Sequence, residues 1–328
     1  MRIWAIAGLV GVGAGLGACV SEPRPGGAET GVLPPTTSPG SAGSTSDASA
    51  TSVDPPATTT TPADDTTAPS TSEGASETEP GVYFDLGVVP DTPGSECESG
   101  IDIVFVMDVS TSMGGFLAQM ANEILEVDAA IQALDLPTET HYGLAVFVDD
   151  AALLNAGAPY ADAAALQADF IMWSNFTASN EQVGGGNSNY TWTENSIDAI
   201  YLAATGFQWR PAQTTTRIVI HTTDDTFWDG PTNGNGVPIQ HGYAETVQAL
   251  QDATVRAYSF ADQIGGACGC DDVTPGWSTP YMGMLPMPEA TDGTVFDINQ
   301  ILGGTVSLAD AINTAVEESY CDPYEPVG

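Results

Sequence analysis

The sequence has very little positive charge. Its 328 residues include only five Lys and Arg together, all of them arginine, against 43 Asp and Glu, for a formal net charge of −38. A surface this acidic repels nucleic acid and anionic lipid, which excludes nucleic acid as a partner. The same charge is compatible with an exported surface protein and attracts divalent cations.

Common catalytic motifs are also absent. The chain contains no H-E-x-x-H, no G-x-S-x-G and no Walker loop. It has three histidines, and His221 lies inside an apolar stretch that favours a core position. A hydrolase that used a metal-bound water would need a general base that the sequence does not identify. We therefore predict that the protein is not an enzyme, with a metal-dependent hydrolase as the less favoured alternative.

Residues 1–19 resemble a bacterial lipoprotein signal peptide. A basic Met1-Arg2 start precedes an apolar stretch that is too short for a membrane span of about 20 residues. The sequence LGAC, ending at Cys19, resembles the lipobox, which implies that Cys19 is lipidated; an ordinary signal peptide is the alternative. Because Val20 replaces the Asp of an inner-membrane retention signal, the resemblance favours an outer-membrane or cell-surface location. Contact with the membrane would then be through the lipid anchor alone.

Two regions follow the signal peptide. Residues 20–94 are rich in Ser, Thr and Pro and cannot bury enough apolar surface to offset the entropy of ordering, so we predict a disordered linker. Residues 95–328 are long enough for one folded domain with a single core.

Four cysteines remain after Cys19, namely Cys97, Cys268, Cys270 and Cys321. An even number in an exported protein suggests disulfide bonds, with three possible pairings. Cys97–Cys321 is favoured because these residues flank the domain, and Cys268 would then pair locally with Cys270. A redox or metal role for the C-G-C sequence is the alternative, although no histidine lies nearby.

Apolar strand patterns alternate with helical patterns along the domain. This alternation predicts an α/β fold with a doubly wound, mostly parallel sheet flanked by helices, which binds ligands at the carboxyl ends of its strands. The predicted strands cover residues 101–107, 141–148, 151–154, 217–223, 254–260 and 294–298. The predicted helices cover residues 114–134, 162–173, 194–207, 243–252 and 308–319.

The sequence DVSTS directly follows the first apolar strand and places Asp108, Ser110 and Ser112 at alternate positions. This D-x-S-x-S pattern resembles the signature of von Willebrand factor A (VWA) domains, also called integrin I-type domains. Two further segments strengthen the resemblance: TWTENSI, with Thr191 at the family's threonine position, and IVIHTTD, with Asp224 at a strand end. The resemblance covers residues 100–320, but Asn195 and Asp225 stand where the family usually has glycine.

The resemblance implies a Rossmann-like fold and a metal-ion-dependent adhesion site. Ser110, Ser112 and Thr191 would supply hydroxyl ligands, and Asp108 and Asp224 would ligate directly or through water. Hard oxygen ligands suit Mg²⁺, with Mn²⁺ or Ca²⁺ as alternatives, and a carboxylate from a protein or surface partner would fill an open position. Helix capping by the Asp, Ser and Thr side chains is the alternative that involves no metal.

Several aromatic residues lie in the predicted loops near this site. Tyr190, Trp192, Asp225, Phe227 and Trp228 form a candidate rim for partner binding, although the aromatic side chains could instead pack the long loops onto the body. The favoured function is a surface-tethered, divalent-metal-dependent protein-binding or adhesion module that recognises an acidic group. A structural envelope spacer with a degenerate VWA domain is the alternative.

Overall fold

The computed structural model describes Cys97, residues 99–263 and residues 271–327. The predictions for the signal peptide (1–19), the lipidated Cys19, the linker (20–94) and the Cys268–Cys270 pair concern residues outside these ranges, and they stay predictions. Within the described ranges, no helix is long and apolar enough to cross a bilayer.

A six-stranded sheet forms the centre of the domain. Its strands are β1 (Gly100–Asp108), β2 (His141–Phe147), β3 (Ala151–Leu153), β5 (Thr215–Thr223), β9 (Arg256–Ala261) and β10 (Val295–Asp297). The strand order is β10-β9-β5-β1-β2-β3. All neighbouring strands are parallel except the edge strand β3, which runs antiparallel to β2. This mostly parallel sheet confirms the predicted fold class.

Helices cover both faces of the sheet, as the continuous apolar pattern of β1 requires. The helices are α1 (Gly114–Gln132), α2 (Ala163–Phe176), α3 (Ser196–Gly206), α4 (Tyr243–Asp252), α5 (Met287–Ala290), α6 (Ile298–Leu302) and α7 (Leu308–Tyr320). Ile103 and Phe105 of β1 pack in one core cluster with α1, α2 and α7, whereas Val104 and Val106 pack in a second cluster with α3 and α4.

The long loops contain short strands that the apolar pattern did not predict. β4 (Thr193–Glu194) pairs in parallel with β6 (Thr226–Phe227), and β7 (Thr232–Gly234) forms a hairpin with β8 (Val237–Ile239). Because β4 takes up Glu194, α3 begins later than the predicted helix. Strands of two or three residues give no usable alternation in the sequence, which is why they were missed.

A disulfide joins Cys97, just before β1, to Cys321, just after α7. This is the pairing that the positions of the cysteines favour. It closes a loop with a sequence separation of 224 residues and ties the first strand of the domain to its last helix.

Candidate metal site

Adjacent parallel strands end together at one edge of the sheet. Asp108, the last residue of β1, lies opposite Phe147 of β2, and Met107 lies opposite Thr222 of β5. The end of β1 is therefore level with the end of β5, and Asp224 follows β5 directly. Strand register thus explains why two aspartates far apart in sequence converge at this edge.

Asp108 is fully buried and is held by two hydrogen bonds. The Ser110 backbone N–H donates to its Oδ1 at 2.8 Å, and the Thr223 hydroxyl donates to its Oδ2 at 2.8 Å. Burial, and then repulsion from Asp224, raises the pKa of Asp108 to about 7. The raised pKa means that the ionised form of Asp108 is unfavourable in the metal-free fold. A cation beside the carboxylate would favour that form.

Helix capping does not explain the Asp-x-Ser-x-Ser sequence. A 3₁₀ turn (Thr111–Met113), which contains Ser112, lies between Ser110 and α1, and no side chain caps the start of that turn or of α1. The N-terminus of α3 is capped by Asn195, whose side chain accepts a hydrogen bond from the Asp198 backbone. Asn195, which departs from the family pattern, therefore has a local structural role.

A line of hydrogen bonds connects the two serines to Asp224. The hydroxyl oxygens of Ser110 and Ser112 are 3.1 Å apart, and the Ser112 hydroxyl donates to Asp224 Oδ1 at 2.9 Å. Ser110 is buried, whereas Ser112 is exposed and Asp224 is half-buried. The line therefore runs from the interior to the surface, and four of the five predicted ligands form one connected group.

Asp225 lies among the predicted metal ligands and not on the predicted partner-binding rim. One ligand atom each from Asp108, Asp224 and Asp225 lies within 4.8 Å of the others. Asp225 is only 4% exposed, so its prediction as a rim residue was wrong. Three carboxylates this close together form a potential ligand set for one divalent cation.

Thr191, the fifth predicted ligand, contacts a different acid. Its hydroxyl oxygen lies 3.0 Å from Asp149 Oδ1 and 3.1 Å from the Thr193 carbonyl oxygen, and its single proton is shared between these two acceptors. Asp149, two residues beyond β2, also accepts a hydrogen bond from Asn235 at the tip of the β7–β8 hairpin, at 2.7 Å. Burial raises the pKa of Asp149, while the hydrogen bonds from Asn235 and Thr191 oppose the rise.

Glu194 is a further buried acid that sequence reasoning missed. It is fully buried, and its Oε1 accepts a hydrogen bond from the Asn189 side chain at 2.6 Å. Burial, followed by repulsion from Asp108 and Asp225, raises its pKa well above the usual range. Two signals in the sequence point to these acids: Asp149 follows the apolar strand β2 much as Asp108 ends β1, and Glu194 stands directly before the apolar helix α3.

The three arginines in the described ranges form ion pairs and hydrogen bonds in other parts of the domain. Arg210 pairs with Asp102, Arg256 pairs with Asp292, and the Arg217 guanidinium donates to backbone carbonyl groups. Moving carboxylates out of water is expensive unless positive charge or hydrogen-bond donors lie beside them. The residues present therefore fit a divalent cation, which would accept hard oxygen ligands and offset their charge.

Only part of the predicted aromatic rim faces solvent. Tyr190 is 70% exposed and Trp192 is 53% exposed, on either side of Thr191. Phe227 is half-buried and packs edge-on against Trp277, and Trp228 is half-buried. Tyr190 and Trp192 are thus the solvent-exposed aromatic residues of the predicted rim, whereas Phe227 mainly packs the loops onto the body.

No protein-family model matches the chain, and no curated protein matches it. Among solved structures, weak matches include proximal thread matrix protein 1 from the mussel byssus with a zinc-occupied MIDAS motif (16% identity, 70% of this chain, 48% of that chain, TM-score 0.41). Another structure of that mussel protein gives 15% identity and a TM-score of 0.41. An aerotolerance-related membrane protein from Bacteroides fragilis gives 15% identity over 67% of this chain and 98% of that chain, with a TM-score of 0.36. The chain spans about half the length of the mussel chains, and similarity at this level carries no argument about function.

Proposed function

We propose that the chain is a VWA-type binding module that holds a divalent cation at the carboxyl edge of its sheet and binds an acidic partner through that cation. The observation that carries the proposal is the connected group of Asp108, Ser110, Ser112 and Asp224, with Asp225 beside it. These side chains come from two strand ends that only the folded chain brings together.

The residues divide into a buried and an exposed part, and this division suits a binding site. Asp108 and Ser110 are buried and would hold the cation from below, whereas Ser112 is exposed at the surface. A bound Mg²⁺, Mn²⁺ or Ca²⁺ would supply positive charge and an exchangeable position for an oxygen ligand. Thr191 would join the ligand set if its hydroxyl turned from Asp149 toward the cation.

The partner that this site favours presents a carboxylate beside an apolar or planar group. The carboxylate would meet the cation, and Tyr190 and Trp192 would cover the neighbouring group. Lipidation at Cys19 and the linker at residues 20–94 would tether the module to the outer membrane or cell surface. None of these steps requires bond-breaking chemistry, so the proposed module is not an enzyme.

The first test is divalent-ion binding measured by unfolding of the full chain. A cation at 100 times its dissociation constant should stabilise the chain by about 2.7 kcal/mol relative to EDTA. Ser112→Ala should lose most of this gain. Ser99→Ala is the matched control because it removes a hydroxyl beside the opposite end of β1.

Partner recognition needs a separate measurement. Peptide arrays that contain Asp or Glu, and matched arrays with Asn or Gln, should be probed with the chain in Mg²⁺, Ca²⁺ and EDTA. Binding should need both the carboxylate and the metal. Binding that persists in EDTA, or equal binding to amide peptides, would contradict the proposed function, whereas a stabilising metal without carboxylate recognition would favour the structural spacer.

A further inference from the structure

The exposed aromatic residues Tyr190 and Trp192 belong to the loop before β4, residues 180–192, which we call the rim loop. The residues before and between them are less accessible, since Asn189 is buried and Thr191 is half-buried. The Asn189 side-chain oxygen accepts a hydrogen bond from the Thr191 backbone N–H at 3.0 Å. The positions of the two aromatic side chains therefore depend on the contacts that hold the rim loop from within.

Asp149 holds the rim loop and the β7–β8 hairpin together. Its side chain is fully buried, and its Oδ1 lies 3.0 Å from the Thr191 hydroxyl oxygen. Its Oδ2 accepts hydrogen bonds from Asn235 Nδ2 at 2.7 Å and from Gln182 Nε2 at 3.5 Å. A buried carboxylate is costly unless donors surround it, so these contacts favour one arrangement of the two segments. Gln182 and Asn235 are 53 positions apart in sequence, so only the folded chain brings these donors to one carboxylate.

Asn235 reaches both Asp149 and the rim loop from the tip of the hairpin. Its backbone φ is 47° and that of Gly236 is 85°, and a type I′ hairpin turn requires positive φ at both residues. The Asn235 side chain also donates to the Ser188 carbonyl oxygen at 3.1 Å, and its backbone carbonyl oxygen accepts from Gln182 Nε2 at 3.4 Å. Asn235 thus contacts the rim loop at two points besides its contact with Asp149.

We infer that Asp149 and Asn235 form a clasp that holds Tyr190 and Trp192 beside the proposed cation, so that the β7–β8 hairpin selects among carboxylate partners. The inference rests on the proposed function. Both clasp residues act by positioning, because neither belongs to the predicted ligand set. A rim that is ordered before binding avoids the entropy cost of ordering it in the complex. The favoured partner is an acidic peptide with an aromatic residue beside the carboxylate, which the two held rings would cover.

Hydrogen exchange of the full chain in EDTA tests the clasp without a cation or a partner. Asn235→Asp and Asn235→Gly both suit the same turn but remove the side-chain donor. In both variants the rim-loop amides, such as that of Asn189, which donates to the Asn180 carbonyl oxygen at 2.9 Å, should exchange about tenfold faster, while β1 exchanges as in the wild type. Thr232→Ala, which removes an exposed hydroxyl at the start of β7, is the matched control and should exchange like the wild type. Unchanged exchange in either Asn235 variant, or equal acceleration in β1, would overturn the clasp.

Peptide binding in Ca²⁺ then links the clasp to recognition. Asn235→Gly and Trp192→Ala should each weaken binding to acidic peptides with a neighbouring aromatic residue by roughly fivefold or more. The double variant should lose little more than either single variant, because both changes remove the same contact. Additive losses, or full binding by Asn235→Gly, would overturn the inference and leave the proposed function standing. A wild type that binds Ca²⁺ but no carboxylate peptide would overturn both proposals.

Discussion

Replacing Asp108 with Asn should stabilise the metal-free chain and remove most of the stabilisation that a divalent cation gives. In the metal-free fold, burial and Asp224 raise the pKa of Asp108 from 3.8 to about 7. The unfolded chain keeps the lower value, so the wild type loses stability as the pH rises from about 4 through 7. This difference corresponds to a cost of up to about 4 kcal/mol at pH 8.

Asn carries no charge, so Asp108→Asn avoids this cost. Its side chain can keep the hydrogen bond from the Ser110 backbone but must rearrange the bond from Thr223, at a cost of about 1 kcal/mol. In EDTA at pH 8 the variant should therefore be more stable than the wild type by about 3 kcal/mol at most. Saturating Ca²⁺ should then stabilise the wild type by about 2.7 kcal/mol or more and the variant far less.

Urea unfolding followed by tryptophan fluorescence, from pH 6 to 8.5 with EDTA or Ca²⁺, measures both effects. Asp135→Asn serves as the control because it removes an exposed carboxylate after α1 at a backbone φ of 54° that Asn also adopts. The reasoning would be refuted if metal-free Asp108→Asn were less stable than the wild type throughout this pH range. Equal stabilisation of both chains by Ca²⁺ would refute the role of Asp108 as a ligand.

Three further predictions concern other parts of the domain. Reducing the Cys97–Cys321 disulfide should lower the free energy of unfolding by about 5 kcal/mol in the chain-entropy model, measured by urea unfolding with and without reductant; no change would show that the bridge is dispensable. Burial lowers the pKa of His221 to about 3, so the protein should lose up to about 4 kcal/mol of stability as the pH falls from 6.5 to 3, and His221→Gln should lose correspondingly less. Trp192→Ala should weaken binding to carboxylate peptides at least fivefold while leaving Ca²⁺ affinity unchanged; an equal loss of both would assign Trp192 to the metal site.

The core of the fold was predictable because its elements are long and periodic. The apolar run of β1 and the spacing of Phe116, Met120 and Ile124 in α1 each repeat a pattern over several residues. The predicted cation ligands also follow a simple rule, since parallel strands place the residues after their carboxyl ends at one edge. Asp108 and Asp224 obey this rule, and the structure brings them together.

The contacts of Glu194 and Thr191 were less predictable because they depend on loop pairing. Glu194 lies opposite Phe227 because the two-residue strands β4 and β6 pair, and no periodic pattern in the sequence predicts such short strands. The contact of Asn235 with Asp149 spans 86 residues and depends on the β7–β8 hairpin. Composition and local spacing contain no information about such a contact, so the hydrogen-bond partner of Thr191 was not predictable.

The distribution of charge explains why a cation would control recognition by this domain. The few described arginines are used inside the fold, as in the pairing of Arg210 with the fully buried Asp102. The predicted ligand edge instead gathers carboxylates, which would repel an acidic partner. Because Coulomb repulsion between buried or partly buried charges is weakly screened by salt, a bound divalent cation would oppose this repulsion far more than monovalent salt does. Recognition of a carboxylate should therefore depend steeply on divalent metal and only weakly on monovalent salt.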